Sequence, residues 1–314
     1  MEAMLTITAP IFFVILLGFL AVRHGFLAPQ ALPSLSRFIL YLALPALIFT
    51  KLSSMNIRDL VDLDYIFVYA VGGLLAFSIT VLIARFVFRQ PWDLSGVRGV
   101  GGSMPNSAFI GLPVLIQSFE HAPTQAFAMA LIVENVVFLP IYLFFVETMK
   151  GQSQANGQNS GAGVMAVVAK RLVTNPLLLS VVSGLVCSLL GWQLPAFMQQ
   201  SFTLLGGAAA ATALIVIGGS LVGVSIRGQL SQIGLVAVVK LMLFPLIASL
   251  LLVFTPNMHQ DLKLAVVILA AMPMFTSYPI IFGEYGEKGF CASALLVTTV
   301  LSFFTLSVML SFLV

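Results

Sequence analysis

Residues 101–119, Gly-Gly-Ser-Met-Pro-Asn-Ser-Ala-Phe-Ile-Gly-Leu-Pro-Val-Leu-Ile-Gln-Ser-Phe, are long and apolar enough to enter a bilayer, yet they cannot form an uninterrupted helix. Pro105 and Pro113 remove backbone donors, Gly111 loosens the chain between them, and Asn106 and Ser107 place polar groups near the middle. In hydrocarbon an unpaired backbone group is costly, so irregular backbone is tolerated only inside protein or beside a water-filled cavity. Residues 270–286, Ala-Ala-Met-Pro-Met-Phe-Thr-Ser-Tyr-Pro-Ile-Ile-Phe-Gly-Glu-Tyr-Gly, repeat the fault. Met104-Pro105 and Met272-Pro273 lie 168 residues apart in a chain of 314. Interrupted apolar segments at matching places in two halves point to the binding site of a membrane carrier.

The rest of the chain supports a membrane setting. Charged residues make up 8% of it, against roughly 25% in soluble domains, and 60% is hydrophobic, with mean hydropathy +1.10. A soluble enzyme is excluded. At about 20 residues per span, the length holds on the order of ten helices. The expected fold is an all-α polytopic membrane protein. The net charge of +3 gives no reason to expect a nucleic-acid partner. Cys187 and Cys291 sit inside apolar runs and are expected as buried thiols.

Residues 4–22 form the first apolar run, expected as helix one because it lacks a basic start and a small-residue cleavage site. The second span runs from about Ser36 to Leu52, with a kink expected at Pro45. The third covers about Leu63 to Phe88, with Gly72-Gly73 as a close-packing point. The interrupted fourth follows, then a fifth from about Thr124 to Glu147. Residues 151–163, Gly-Gln-Ser-Gln-Ala-Asn-Gly-Gln-Asn-Ser-Gly-Ala-Gly, read as a flexible linker. Asn175-Pro176 opens the sixth span, with Asn as cap and Pro in the first position. The seventh runs from Phe197 to Val224, with small faces at Gly206-Gly207 and Gly218-Gly219-Ser220. The eighth covers Leu230 to Phe254, the ninth is interrupted, and the tenth begins at Gly289. The division is therefore 1–150, linker 151–163 and 164–314. Five spans is an odd number, so the second half enters the membrane inverted, and the interrupted helices four and nine are expected to cross at mid-membrane.

Charge placement agrees with this count. One set of alternate loops holds Arg23, Arg37, Arg85, Arg89, Arg98, Lys150, Lys170, Arg171, Arg227 and Lys288, and the other holds Lys51, Arg58 and Lys263. The richer set belongs in the cytoplasm by the positive-inside rule. Both termini are then outside, the linker is cytoplasmic, and the inner (plasma) membrane is the expected location.

No catalytic or metal motif is present: there is no His-Glu-x-x-His, paired-cysteine, Gly-x-Ser-x-Gly or phosphate-loop pattern. No cofactor or metal is expected, nor enzymatic activity. At each interruption, half-helix ends are exposed, and an N-terminal end suits a carboxylate. Pro105, Asn106, Ser107, Pro273, Thr276, Ser277 and Tyr278 are the candidate substrate-binding residues. The same side chains would also serve simply to re-satisfy freed backbone groups. Glu134 and Lys240 fall inside spans, where charge is expensive and usually faces the protein interior. Glu134 is a candidate proton carrier, with Asn135 beside it. Lys240 is a candidate to attract an anion, to pair with Glu134 or to snorkel.

The pattern resembles the auxin efflux carrier family. The local matches are Pro105-Asn106 with Gly111 and Pro113, Glu134-Asn135 with Pro140, Asn175-Pro176, Lys240-Leu241 with Pro245, and Met272-Pro273 with Tyr285-Gly286. The resemblance implies an elevator-type carrier of a small organic anion, such as malonate or malate. Helices three to five and eight to ten would move against a scaffold of one, two, six and seven. It also implies a homodimer through helices two and seven. The Asn-Pro-Asn pattern of plant carriers is missing, since Met104 and Met272 precede the two prolines, which argues against auxin itself. A proton or a sodium ion stands as candidate co-substrate. A sodium-coupled symporter resembling the bile-acid family and a passive anion channel remain alternatives.

Overall fold

The computed structural model describes residues 2–54, 61–153, 173–192, 194–224 and 229–313. Residues 154–163 of the expected linker, with Arg58, Lys170, Arg171 and Arg227 of the charge count, lie outside the described residues. The described residues are helical and contain no strand; one isolated antiparallel bridge joins Pro105 to Met274. In chain order the helices are α1 (Glu2–Arg23), α2 (Ala31–Ser53), α3 (Leu63–Phe86), α4 (Trp92–Ser103), α5 (Ser107–Ser118) and α6 (Thr124–Lys150). They continue with α7 (Pro176–Leu189), α8 (Ala196–Ser220), α9 (Leu230–Phe254), α10 (Gln260–Ala270), α11 (Tyr278–Ile281) and α12 (Lys288–Leu313). Six of these, α2, α3, α6, α8, α9 and α12, are long and apolar enough to cross a membrane. Large exposed side chains such as Phe13, Phe197, Leu204 and Phe312 form the apolar exterior that lipid requires.

Two sets of helices pack closely among themselves. In the first, α1 lies along α8, and α2 lies along α7 and the start of α8. Small residues permit this approach, as expected: a side chain at Gly206 would meet Leu47 at 2.9 Å, and one at Gly219 would meet Val22 at 2.8 Å. In the second set, α4 is buried from Ser95 to Ser103 and lies against α3 and α6. Its Gly96 and Gly99 leave no room for a methyl group, with Phe145 and Val81 at 2.8 and 2.6 Å from where it would sit.

The prolines act in two ways. Pro45, Pro113, Pro140 and Pro245 do not interrupt their helices. Each stands two residues past the end of a π-helical stretch, at Ile39–Ala43, Ser107–Gly111, Val133–Phe138 and Val239–Leu243 respectively. A proline ring collides with the carbonyl four residues back, and one wide turn relieves the collision while keeping the helix going. Pro113, expected to help break the fourth span, is therefore carried within α5. The true interruption lies at Pro105. Proline disfavours the helical region for the residue before it, and Met104 is extended at φ −87°, ψ 114°. The fourth segment thus starts at Trp92 rather than near residue 101. Arg98, placed in a cytoplasmic loop on sequence grounds, instead sits fully buried in α4.

Candidate functional site

The two interruptions meet. Asn106 N–H donates to Pro273 O at 2.8 Å, and Phe275 N–H donates to Met104 O at 3.3 Å. Two extended stretches that each lack helical partners therefore satisfy one another. Asn106 then starts α5: its Oδ1 accepts from Phe109 N–H at 3.3 Å, while its Nδ2 donates to Thr276 Oγ1 at 2.8 Å. One side chain thus caps a helix and ties the crossing together.

A cavity of about 380 Å³ opens beside the crossing, within the size range of small-ligand sites. Pro105, Asn106, Ser107, Thr276, Ser277, Glu134 and Asn135 all line it. Glu134 is 4% exposed and stands on the π stretch of α6. Its Oε1 accepts from Tyr69 Oη at 2.7 Å and from Ser107 Oγ, so α3 and α5 both hold this carboxylate. Asn135 donates to Leu131 O at 2.8 Å and accepts from Asn175 Nδ2 at 2.7 Å.

Three predicted residues stand behind the cavity rather than on it. Pro273 contributes its carbonyl to the crossing. Tyr278 is fully buried, and its hydroxyl donates to Val97 O at 2.8 Å, bracing α11 against α4. Lys240, also fully buried, donates to Ala270 O at 2.6 Å and lies 4.6 Å over the Phe244 ring. Ala270 is the last residue of α10, so the ammonium sits where the helix leaves carbonyls unpaired and carries partial negative charge. Among the described residues, Lys240 forms no direct ion pair with Glu134.

Sequence reasoning passed over Tyr69 and the surroundings of Arg98, and read Asn175 only as a cap. Tyr69 is one aromatic in an apolar run. Its signal was the four-residue spacing from Tyr65, which puts two phenols on one helix face. Asn175 does cap α7, accepting from Leu177 N–H at 3.0 Å, but it also lines the cavity. Arg98 donates to Gln232 Oε1 at 2.8 Å, Gln229 Oε1 at 2.6 Å and Glu287 Oε2 at 3.0 Å, and it lies 4.3 Å over the Phe290 ring. It fastens α4 to the starts of α9 and α12.

Long apolar helices around a polar cavity at an interrupted-helix crossing make this a multi-pass membrane transport protein, not an enzyme. The chain belongs to the membrane transport protein family, whose model matches residues 3–310. It is 27% identical over 300 residues to a Rhizobium meliloti protein named "Putative malonate transporter", covering 95% of this chain and 92% of that one. It is 23% identical over 306 residues to the Escherichia coli "Uncharacterized transporter YfdV", covering 94% and 92%. Auxin efflux carrier component 5 of Arabidopsis thaliana is 22% identical over 315 residues, covering 88% and 87%. The resemblance to auxin efflux carriers read from the local motifs is borne out.

Proposed function

We infer that the chain is a secondary carrier of small organic anions, with mono- and dicarboxylates as cargo, working by alternating access. The observation that carries this reading is the bonded crossing of Asn106 with Pro273 and Thr276 beside the cavity. Asn106 opens α5, so a carboxylate in the cavity would meet the positive end of that helix. The anion then needs no fixed cation in direct contact. Malonate, named for the Rhizobium meliloti relative, is the first substrate to try.

The membrane arrangement in this reading is ten spans in two inverted five-helix repeats, 1–150 and 164–314, with both termini outside and the linker in the cytoplasm. Helix rise makes α4 and α5 about 18 Å each. The hydrocarbon core is about 30 Å thick, so a break between them falls near its middle. The second packing set, α3, α4 and α6 together with α5 and with α9 to α12, which pack against them, is the moving part of an elevator. The first set, α1, α2, α7 and α8, is the scaffold and the homodimer surface. The inner membrane is the proposed location, with a proton as the first co-substrate to test and sodium as the second.

The test is uptake of labelled mono- and dicarboxylates into proteoliposomes, with imposed proton or sodium gradients. Saturable uptake with counterflow is expected, and Asn106→Ala should weaken substrate affinity about tenfold, the loss of one hydrogen bond to a charged group. Uptake that neither saturates nor shows counterflow would replace the carrier with a channel. Unchanged affinity in Asn106→Ala would move the site away from the crossing.

A further inference from the structure

Tyr65 is fully buried, and among the described residues its hydroxyl has no hydrogen-bond partner. Buried hydroxyls are nearly always satisfied by protein or by an ordered water, so this one calls for an explanation. Its surroundings supply one. Tyr65 and Tyr69 lie one turn apart on α3, with rings stacked at 5.9 Å and 25°. Asp62 sits one turn further out, where it caps the helix by accepting from Tyr65 N–H at 2.8 Å. Asp62 is half-buried and Asp64 is exposed, so this end of the face reaches the protein surface. At the other end, Tyr69 donates to Glu134 Oε1 at 2.7 Å, on the wall of the cavity. One helix face therefore reads carboxylate, phenol, phenol, and then a carboxylate on α6. The axial run from Asp62 to Tyr69 is about 10 Å by helix rise. Phe138 and Phe244 flank the Tyr69 ring at 5.8 and 5.9 Å, which insulates the line with apolar rings.

We propose that Tyr65 and Tyr69 form a proton relay that loads Glu134 from the end of α3 marked by Asp62. This rests on the carrier reading above and names the co-substrate and its route. A proton arriving on the Asp62 side is taken onto a lone pair of the Tyr65 hydroxyl, which releases its own proton toward Tyr69 through a bridging water. Tyr69 accepts one proton and releases its hydroxyl proton to Glu134 Oε1. Glu134 passes from carboxylate to neutral acid, each phenol ends with the one proton it began with, and both reset by rotating about the C–O bond. The other titratable groups in range of Glu134 are Lys240 on α9 and Tyr142 on its own helix; Ser107 on α5 contacts it directly. Neither Lys240, on α9, nor Ser107, on α5, leads from the cavity to the surface along α3.

The deciding variant is Tyr65→Phe, which keeps the stacked ring and removes only the orphan hydroxyl. Because no hydrogen bond to the described residues is lost, its melting temperature should match that of the parent chain. The first readout needs no substrate: the carboxyl infrared band of Glu134, assigned by its loss in Glu134→Gln, is followed after a drop in pH. Tyr65→Phe should slow the appearance of the band about tenfold or more, in line with the removal of a proton-transfer group. It should leave the final amplitude unchanged. Equal time courses in the parent and Tyr65→Phe would overturn the relay. The second readout is transport. Uptake driven by a proton gradient should fall while counterflow at equal pH, which requires no net proton transfer, is retained. Equal losses in both would reduce Tyr65 to a packing role and overturn the relay. A parent chain with saturable counterflow but no response to a proton gradient would also overturn it while leaving the carrier standing. Absence of counterflow in the parent would instead remove the carrier reading.

Discussion

Asn175 Nδ2 donates to Asn135 Oδ1 at 2.7 Å, joining the start of α7 to the middle of α6 on the cavity wall. The other hydrogen bonds named at the site each stay within one packing set: the Asn175 cap within α7, the rest within α3–α6 and α9–α12. Among the described residues the two packing sets also meet through apolar contacts, such as the Phe12 and Phe303 rings at 4.9 Å. Apolar surfaces hold without directional bonds, whereas an amide pair fixes a register. If the sets slide, this pair must part. Cysteines at positions 135 and 175, joined by a short thiol cross-linker, should abolish exchange, and cleavage of the linker should restore it. Full exchange in the cross-linked protein would mean that the two sets do not move past one another here.

Glu134→Gln places a neutral amide where the carboxylate stands. If the carboxyl is the group that gains and loses the coupled proton, the variant should exchange substrate at a rate independent of pH while uptake driven by a proton gradient disappears. Parallel uptake profiles across pH for the variant and the parent would show that Glu134 carries no coupled proton. The Glu134 carboxylate and the amides on the cavity wall would then serve the site's architecture and binding alone.

Arg98→Ala leaves Glu287, Gln229 and Gln232 without their shared donor. Removing one member of a buried pair typically costs about 3–5 kcal/mol. The melting temperature in detergent should fall well below that of the parent, and further than for an exposed arginine such as Arg89. Arg98→Met, which refills the volume, should recover part of the loss. No shift in either variant would mean that the network contributes nothing to the packing of α4.

Lys240→Met removes the donor to Ala270 O while preserving most of the side chain's bulk. An unsatisfied buried acceptor costs about 1–3 kcal/mol, so stability should fall by that order. Because Lys240 stands behind the cavity, substrate affinity should change less than in Asn106→Ala. A larger affinity loss in Lys240→Met would place the ammonium in direct service of the anion.

The crossing was legible in the sequence because its signal is local: Met104-Pro105 and Met272-Pro273 bias the backbone away from helix beside the polar residues Asn106, Thr276 and Ser277, at matching places in the two halves. Asn106, Ser107, Thr276 and Ser277 followed from their position at those breaks. Pro113 was misread because a proline alone does not say whether a helix will break or widen. The outcome depends on whether the turn before it can add a residue, as Ser107–Gly111 does. Arg98 was misplaced because a charge in a glycine-rich segment reads as loop. Its acceptors, at positions 229, 232 and 287, lie more than 130 residues away, and pairings at that distance leave no local mark. Tyr278 and Lys240 were recognised as unusual residues, but only packing shows that they brace the crossing from behind.

The antiparallel bond between Asn106 and Pro273 also bears on biosynthesis. A ribosome working at about 5–20 residues per second needs roughly ten to thirty seconds to make the intervening chain. Throughout that interval the first break waits without its partner strand, in a segment already apolar enough to leave the translocation machinery. Its freed amide must borrow a partner from water, a neighbouring helix or the insertion apparatus. The cavity is therefore assembled near the end of synthesis, and a chain truncated before residue 273 would keep most of its helices yet have no completed crossing.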